Sequence, residues 1–341
     1  MKKKISSQVR YEINVIKNIL NVKKNKSNCK MVSGWKNEKE SINNFVLIIP
    51  VYNDQQFIKN SINYYKDSKI KIIYCDSSKE KYLGSFPNNM RYIYLKNYQF
   101  PQKIRHVLNK IKTNYVALCP VDDFMVTPSL KKGINFIKNH KDYKMVLGNF
   151  LGFKTTNNIT FYDEYYYNSF DYNSSVKENA KNLFSKYFMT IWGIYDKETL
   201  LKAYEIIQKS EPRNHNFYEF IIGAIFCASG GVKKMEDLLI LRRNSIDSWG
   251  SMHTSLIDIN KSEKIKTDFK RIRLHLDAAT YAGYSQMALN TYINGVNKKY
   301  KNISQTINLI ERISPRIGLS IRKYYFKLHD LYRKDYNFRK T

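Results

Sequence analysis

FVLIIPVYN, residues 45 to 53, is the stretch whose reading decides the fold. It is a nearly continuous apolar run closed by turn formers, which suits a strand covered on both faces in a parallel sheet rather than a strand with one wet face. The chain around it alternates between strand and helix patterns. A helix follows at about 54–66, and KIKIIYCDSS (69–78) is a second strand with Asp76, Ser77 and Ser78 at its end. MRYIYLK (90–96) is a third strand, PQKIRHVLNKIK (101–112) is a helix with Pro101 in its first turn, and NYVALCPVDD (114–123) is a fourth strand. This alternation predicts an α/β protein with a doubly wound, mostly parallel sheet flanked by helices.

The bulk composition sets outer limits. At 341 residues, with 43% hydrophobic and 14% aromatic side chains, the chain has ample material for a core and fits one large α/β unit carrying extra helices. The longest apolar runs, FVLIIPVY (45–52) and FIIGAIFCA (220–228), fall well short of the roughly 20 residues a spanning helix needs. The basic opening MKKKISSQVRYEI has no apolar stretch behind it, so no secretory signal is read there and a cytoplasmic location is expected. Cys29, Cys75, Cys119 and Cys227 lack the spacing of a zinc site or a disulfide framework and read as free thiols.

The net charge of +29 points to a polyanionic neighbour, a membrane surface or a bias toward Lys in an AT-rich coding sequence. Lys and Arg are in excess over residues 1–44 and 315–341, whereas the middle holds most of the acids. Val9, Ile13, Ile16 and Leu20 fall at helical spacing, which predicts a basic amphipathic helix ahead of the main domain. The expected organisation is a basic helical extension (1–44), a main domain (45–255) with a first half to 153 and a second from 154, and a helical C-terminal region (256–341).

In open parallel sheets, ligands bind beyond the carboxyl ends of the strands, where loops converge and helix N-termini point their amides. The polar residues fall there. Asn53 and Asp54 follow the first strand, Asp76, Ser77 and Ser78 the second, and Asp122 and Asp123 the fourth. Clustered carboxylates repel unless a cation sits among them, and hard oxygen ligands suit Mg²⁺ or Mn²⁺ bridging a diphosphate. The alternative reading makes Asp122 the cap of a turn and Asp123 the start of a helix. The chain has no G-x-G-x-x-G after a strand, no phosphate-binding G-x-x-x-x-G-K-[ST] loop, no H-E-x-x-H and no G-x-S-x-G.

FVLIIPVYNDQQFIKNSINYYKDS, IIYCDSS and TNYVALCPVDDFMVTPSLKKGINFIKNHKDY, in that order, resemble the nucleotide-binding half of GT-A glycosyltransferases of the family 2 type, closest to a bacterial subgroup with recurring DSS and DDF segments. The resemblance covers residues 45–153 well and continues more loosely to about 250. It implies a GT-A sheet and transfer of a sugar from a nucleotide sugar to a glycan or glycolipid hydroxyl, inverting and metal-assisted, in bacterial surface polysaccharide synthesis. By that resemblance Pro50, Tyr52, Asn53, Asp54, Asp76, Ser77 and Asp122 bind the donor, and PVDD (120–123) carries the metal-ligating element with Asp123 as its best ligand and Asp122 beside it. Pro120 and Val121 depart from the pattern, because acids are common there in the family.

Inverting GT-A enzymes place a carboxylate at the start of a helix beneath the acceptor, where it takes the hydroxyl proton. Glu219 in HNFYEFIIGAIFCA matches that position by resemblance, with Asp247 in reserve. A Glu in a first helical turn is otherwise commonly a surface residue complementing the helix dipole. His253 is the candidate to complete the metal or diphosphate site, and Arg242 and Arg243 to neutralise the departing diphosphate. Trp192, Trp249 and the tyrosines at 165–167 are candidates for stacking on sugar rings, or simply core.

From about 262 the chain reads as helical, and Ile317, Ile321, Tyr324, Leu328 and Leu331 form one stripe flanked by basic residues. Such a tail suits either an anionic membrane surface or packing on its own domain. Two further classes stand beside the transferase: a basic nucleic-acid- or membrane-binding protein without catalysis, and a sugar nucleotidyltransferase, which needs a glycine-rich loop where this chain has PVYNDQQF.

Overall fold

The computed structural model describes residues 44–155, 159–164, 170–186, 189–243, 256, 259 and 262–295. The expected N-terminal helix and the stripe after Pro315 lie outside these residues.

The opening strand pattern sits at the centre of the first half. β1 (Phe45–Val51) pairs in parallel with β2 (Ile72–Asp76) on one side and β4 (Tyr115–Leu118) on the other, and β3 (Met90–Tyr94) continues the parallel set beyond β2. All seven residues of β1 are buried. Val46 and Ile48 face one core, and Phe45, Leu47, Ile49 and Val51 face the other, which is why the run shows no polar alternation. Each fully buried aliphatic side chain of this kind contributes about 1.5–3 kcal/mol. A short 3-10 turn (Gln55–Phe57) leads into α1 (Ile58–Tyr65) on the second face, and α2 (Phe100–Lys110) covers the first. Gln99 and Gln102 cap α2 reciprocally, and Pro101 stands in its first turn, where its missing N–H is not needed.

After β4 come β5 (Phe124–Met125), α3 (Thr127–Asn139), β6 (Tyr143–Thr155), β7 (Ile159–Glu164), β8 (Phe170–Tyr172), α4 (Val176–Lys186), β9 (Ile194–Asp196), α5 (Lys197–Ser210), α6 (Asn216–Ser229) and β10 (Gly231–Arg243). The strand order is β3-β2-β1-β4-β9-β6-β10-β5, with β7 on β6 and β8 on β10. The parallel character predicted from sequence belongs to β3-β2-β1-β4 and to β6–β10. The pairings of β9 with β4 and β6, β5 and β8 with β10, and β7 with β6 are antiparallel. One sheet thus runs through both expected halves.

α6 is buried nearly all round, as its apolar sequence requires, and packs with α4, α5 and α7 (Glu263–Ala279) in the first core. The expected continuous helix after residue 262 breaks at 280–283, where Gly283 adopts φ 82°, and resumes as α8 (284–295). Asp277 accepts from the Gly283 and Ser285 main-chain N–H groups at 3.1 and 2.8 Å, fixing that corner. No helix among the described residues is long and apolar enough to cross a membrane.

Candidate functional site

The carboxyl ends of β1 and β2 are joined by side chains rather than by more ladder. Pro50 lies opposite Cys75 in β1 and has no N–H to give. One residue on, the Val51 carbonyl accepts from the Ser77 N–H at 3.1 Å and from the Lys103 ammonium at 2.6 Å, and Lys103 also donates to Ser77 Oγ at 3.1 Å. Lys103 is 2% exposed, and burial lowers its pKa while Cys75 and Asp76 pull it back up.

Asp76 is fully buried, and four donors converge on it. Oδ1 accepts from the Ser78 N–H (2.8 Å) and hydroxyl (2.5 Å); Oδ2 accepts from Gln55 Nε2 and Tyr92 OH, both at 2.7 Å. Tyr92 in turn accepts from the Tyr82 N–H at 3.0 Å, and Gln55 also donates to the Glu80 carbonyl, so the carboxylate fastens the β2–β3 loop over the rim. Asn53, at φ 56° as asparagine tolerates, turns its N–H to Ser78 Oγ at 2.8 Å. Tyr52 is 61% exposed, with the Lys103 ammonium 6.0 Å from its ring centroid.

A second group forms where β4 leads into β5. Asp122 and Asp123 lie in a turn closed by the Asp123 N–H on the Pro120 carbonyl at 3.2 Å, which is the turn of the alternative reading, though the helix after it, α3, begins only at Thr127. Both acids meet Arg243 at the end of β10. Its main-chain N–H donates to Asp123 Oδ1 at 2.8 Å, and its guanidinium Nε to Asp122 Oδ2 at 3.1 Å. The guanidinium carbon lies 4.1 Å from the Phe57 ring centroid. Asp54 shares this field: burial and the Asp122 carboxylate raise its carboxyl above the usual value, while Arg243 and a hydrogen bond from Gln56 pull it down. Arg242 precedes Arg243 on β10, so strand alternation sends its side chain to the opposite face.

A third group brings in Glu219, in the first turn of α6. Its Oε1 accepts from the Thr190 N–H at 2.6 Å, and Thr190 Oγ1 donates to the Glu219 carbonyl at 2.8 Å. Thr190 leads into β9, which runs antiparallel to β4, so the start of β9 meets the carboxyl end of β4: the Leu118 N–H donates to the Gly193 carbonyl at 3.4 Å. A Cβ on Gly193 would stand 2.8 Å from Leu147 Cδ2 and 3.0 Å from the Val146 carbonyl, so glycine permits this close approach. Glu219 is thereby tied to the segment that enters the rim beside β4. Trp192, in the same segment, packs edge-on to Phe100 with centroids 6.4 Å apart.

The sequence candidates thus fall into three groups: Asn53, Asp76 and Ser77 with Pro50 and Tyr52; Asp54, Asp122, Asp123 and Arg243; and Glu219. Asp247, His253, Trp249 and the tyrosines at 165–167 lie outside the described residues. Ser78, the last residue of DSS at the end of the second strand, stands in the first group. Gln55, Tyr92, Lys103 and Thr190 complete the site without having been singled out, since they meet their partners across 16 to 52 positions of sequence.

The donor set at the turn does not fit a divalent cation. Asp123 is 3% exposed and bonded to a main-chain N–H, Asp122 already holds a guanidinium, and Asp76 is engaged by four protein donors. Among the described residues no three His, Cys, Asp or Glu side chains cluster as metal ligands do.

No protein-family model matches the sequence, and no curated protein sequence matches it. Among solved structures, TarS 1-349 from S. aureus in complex with UDP-GlcNAc is similar over 74% of this chain and 72% of that one, at 14% identity and a TM-score of 0.50. TarS 1-349 in complex with UDP is similar over 76% of this chain and 91% of that one, at 12% identity and a TM-score of 0.41. The first likeness bears on the fold: the α/β sheet described above is of the GT-A type.

Proposed function

We propose that the chain is a glycosyltransferase that moves a sugar from a nucleotide sugar to an acceptor hydroxyl on a glycan or glycolipid. One observation carries the reading: the ends of β1, β2 and β4 and the start of the Glu219 helix, through Thr190, meet at one rim of a GT-A sheet. The fold is similar to that of a protein crystallised with UDP-GlcNAc, which makes a uridine diphosphate sugar the first donor to try.

In this reading the loop of Tyr52 and Asn53 receives the nucleoside, and Asp76 holds that loop and the β2–β3 loop in shape. The acceptor oxygen attacks the anomeric carbon, its proton passes to Glu219, and the bonding pair of the breaking C–O bond leaves on the diphosphate, giving inversion. The Thr190 N–H fixes the position of the Glu219 carboxylate beside the rim. A glycan of the bacterial surface is the proposed acceptor class, and the basic tail is proposed to rest on an anionic membrane. Deleting residues 315–341 should move the protein from membrane to soluble fractions, and unchanged fractionation sinks that part.

The test is thermal stabilisation by UDP, GDP, CDP, CMP and dTDP, with release of nucleoside diphosphate from the matching sugar nucleotide as the second readout. Ligand at 100 times its Kd stabilises by about 2.7 kcal/mol. Stabilisation by one nucleotide supports the reading. Stabilisation by single-stranded oligonucleotides or anionic vesicles alone, with none by nucleotides, overturns it in favour of a binding protein.

A further inference from the structure

Both acids of the β4–β5 turn answer to one residue. Arg243 fixes Asp123 with its main chain and Asp122 with its side chain. We propose that the Arg243 guanidinium is the counter-charge for the donor diphosphate, exchanging Asp122 for phosphate when the nucleotide enters, so that nucleoside diphosphate binding needs no divalent cation. This deepens the transferase reading and rests on it.

Three features support the exchange. The Arg243–Asp122 pair is partly open, with side chains 23% and 22% exposed, so a ligand can reach it. The main chain of Arg243 stays anchored on Asp123, so only the side chain has to move. A guanidinium is planar, permanently charged and matched to two phosphate oxygens, and here it already lies against the Phe57 ring, which limits where it can swing. On transfer, the C–O bond of the donor breaks toward the diphosphate oxygen, and the charge developing there is met by Arg243. Asp122 takes no part in binding: it holds the guanidinium in waiting and competes with the ligand.

Titration calorimetry with UDP and GDP, in EDTA and in MnCl₂, decides the matter. The wild type is expected to bind one of them within about threefold equally in both buffers. Arg243→Gln should weaken that binding at least tenfold in both, with Arg243→Lys between, and none of the three should differ in binding the uncharged nucleoside. Asp122→Asn should tighten binding a few-fold, the reverse of what losing a metal ligand does. Binding by the wild type that is abolished in EDTA and restored by Mn²⁺, or a weakened Asp122→Asn, overturns the inference and leaves the transferase reading standing. Absence of binding by UDP, GDP, CDP, CMP and dTDP in either buffer overturns both.

Discussion

Thr190 and Glu219 hold each other at two points: the Thr190 N–H donates to Glu219 Oε1 at 2.6 Å, and the Thr190 hydroxyl donates to the Glu219 carbonyl at 2.8 Å. The pair joins the first turn of a buried helix to the segment entering the sheet beside β4, so carboxylate position and helix position are set together. Glu219→Gln keeps an oxygen for the Thr190 N–H and should leave stability within about 1 kcal/mol of wild type. As the base, however, Glu219 should contribute about 10²–10⁴ in turnover. Parallel measurement of unfolding and donor turnover separates the two, and a variant that turns over normally places the base elsewhere.

Asp54 sets a pH dependence. Its carboxyl lies above the ordinary value of 3.8, chiefly because of burial and next because of Asp122. The native state therefore holds the Asp54 proton more tightly than the unfolded chain does. Ionised Asp54 costs stability above that ordinary value, and the cost is relieved as pH falls through the native one. Asp54→Asn should melt higher than wild type at neutral pH, and the difference should close in acid below 3.8. Melting curves across pH check this; a gap that widens in acid refutes it.

Asp76→Asn exchanges an acceptor-only group for one whose NH₂ must face Gln55 and Tyr92 or Ser78, all donors to the native carboxylate. Loss of about 1–3 kcal/mol is expected, with faster protease cleavage in the β2–β3 loop, where Leu83 is 92% exposed. Unchanged cleavage would mean the carboxylate does not secure the loop.

Asp268 on α7 is fully buried and accepts from Arg213 Nε (3.3 Å), the Asn214 N–H (2.9 Å) and Arg271 Nη2 (2.9 Å), fixing the turn that starts α6. Asp268→Asn should cost about 1–3 kcal/mol and lower turnover at a distance from the reacting atoms. Denaturant unfolding and donor turnover measured on the same variant test both halves.

Burial pushes the thiols out of the reactive range: Cys75 to about 12, with Cys119 and Cys227 also raised. A Cys29→Ser variant should show no labelling by a thiol reagent when native and full labelling once unfolded. Rapid native labelling would place one of these cysteines at the surface.

The first half of the sheet was legible because its strands are local signals: a continuous apolar run, a turn former, a helix with Pro in its first turn. The second half was not, since β9 and β5 have three and two residues and owe their existence to strands far away in sequence. The site shows the same division. Asp76, Asp122 and Asp123 announce themselves by standing where strands end, and Glu219 by its place at a helix start. Lys103 sits within an amphipathic helix, and nothing near it in sequence tells that its ammonium closes the end of β1. Nor does the doublet Arg242–Arg243 show which member turns toward the acids, since that depends on the phase of a strand whose pairing with β6 slips at Lys234–Leu238 and again at Leu238–Ile240.

The anchoring of the Glu219 helix on Asp268 bears on how little of this protein can fold by itself. A boundary near residue 255, natural if the chain after it were an appendage, would cut away α7 and with it the carboxylate that moors the start of α6, together with Ile272, Leu276 and Tyr284 of the same core. Any piece that keeps Glu219 in register therefore includes α7 and the part of α8 that packs in this core.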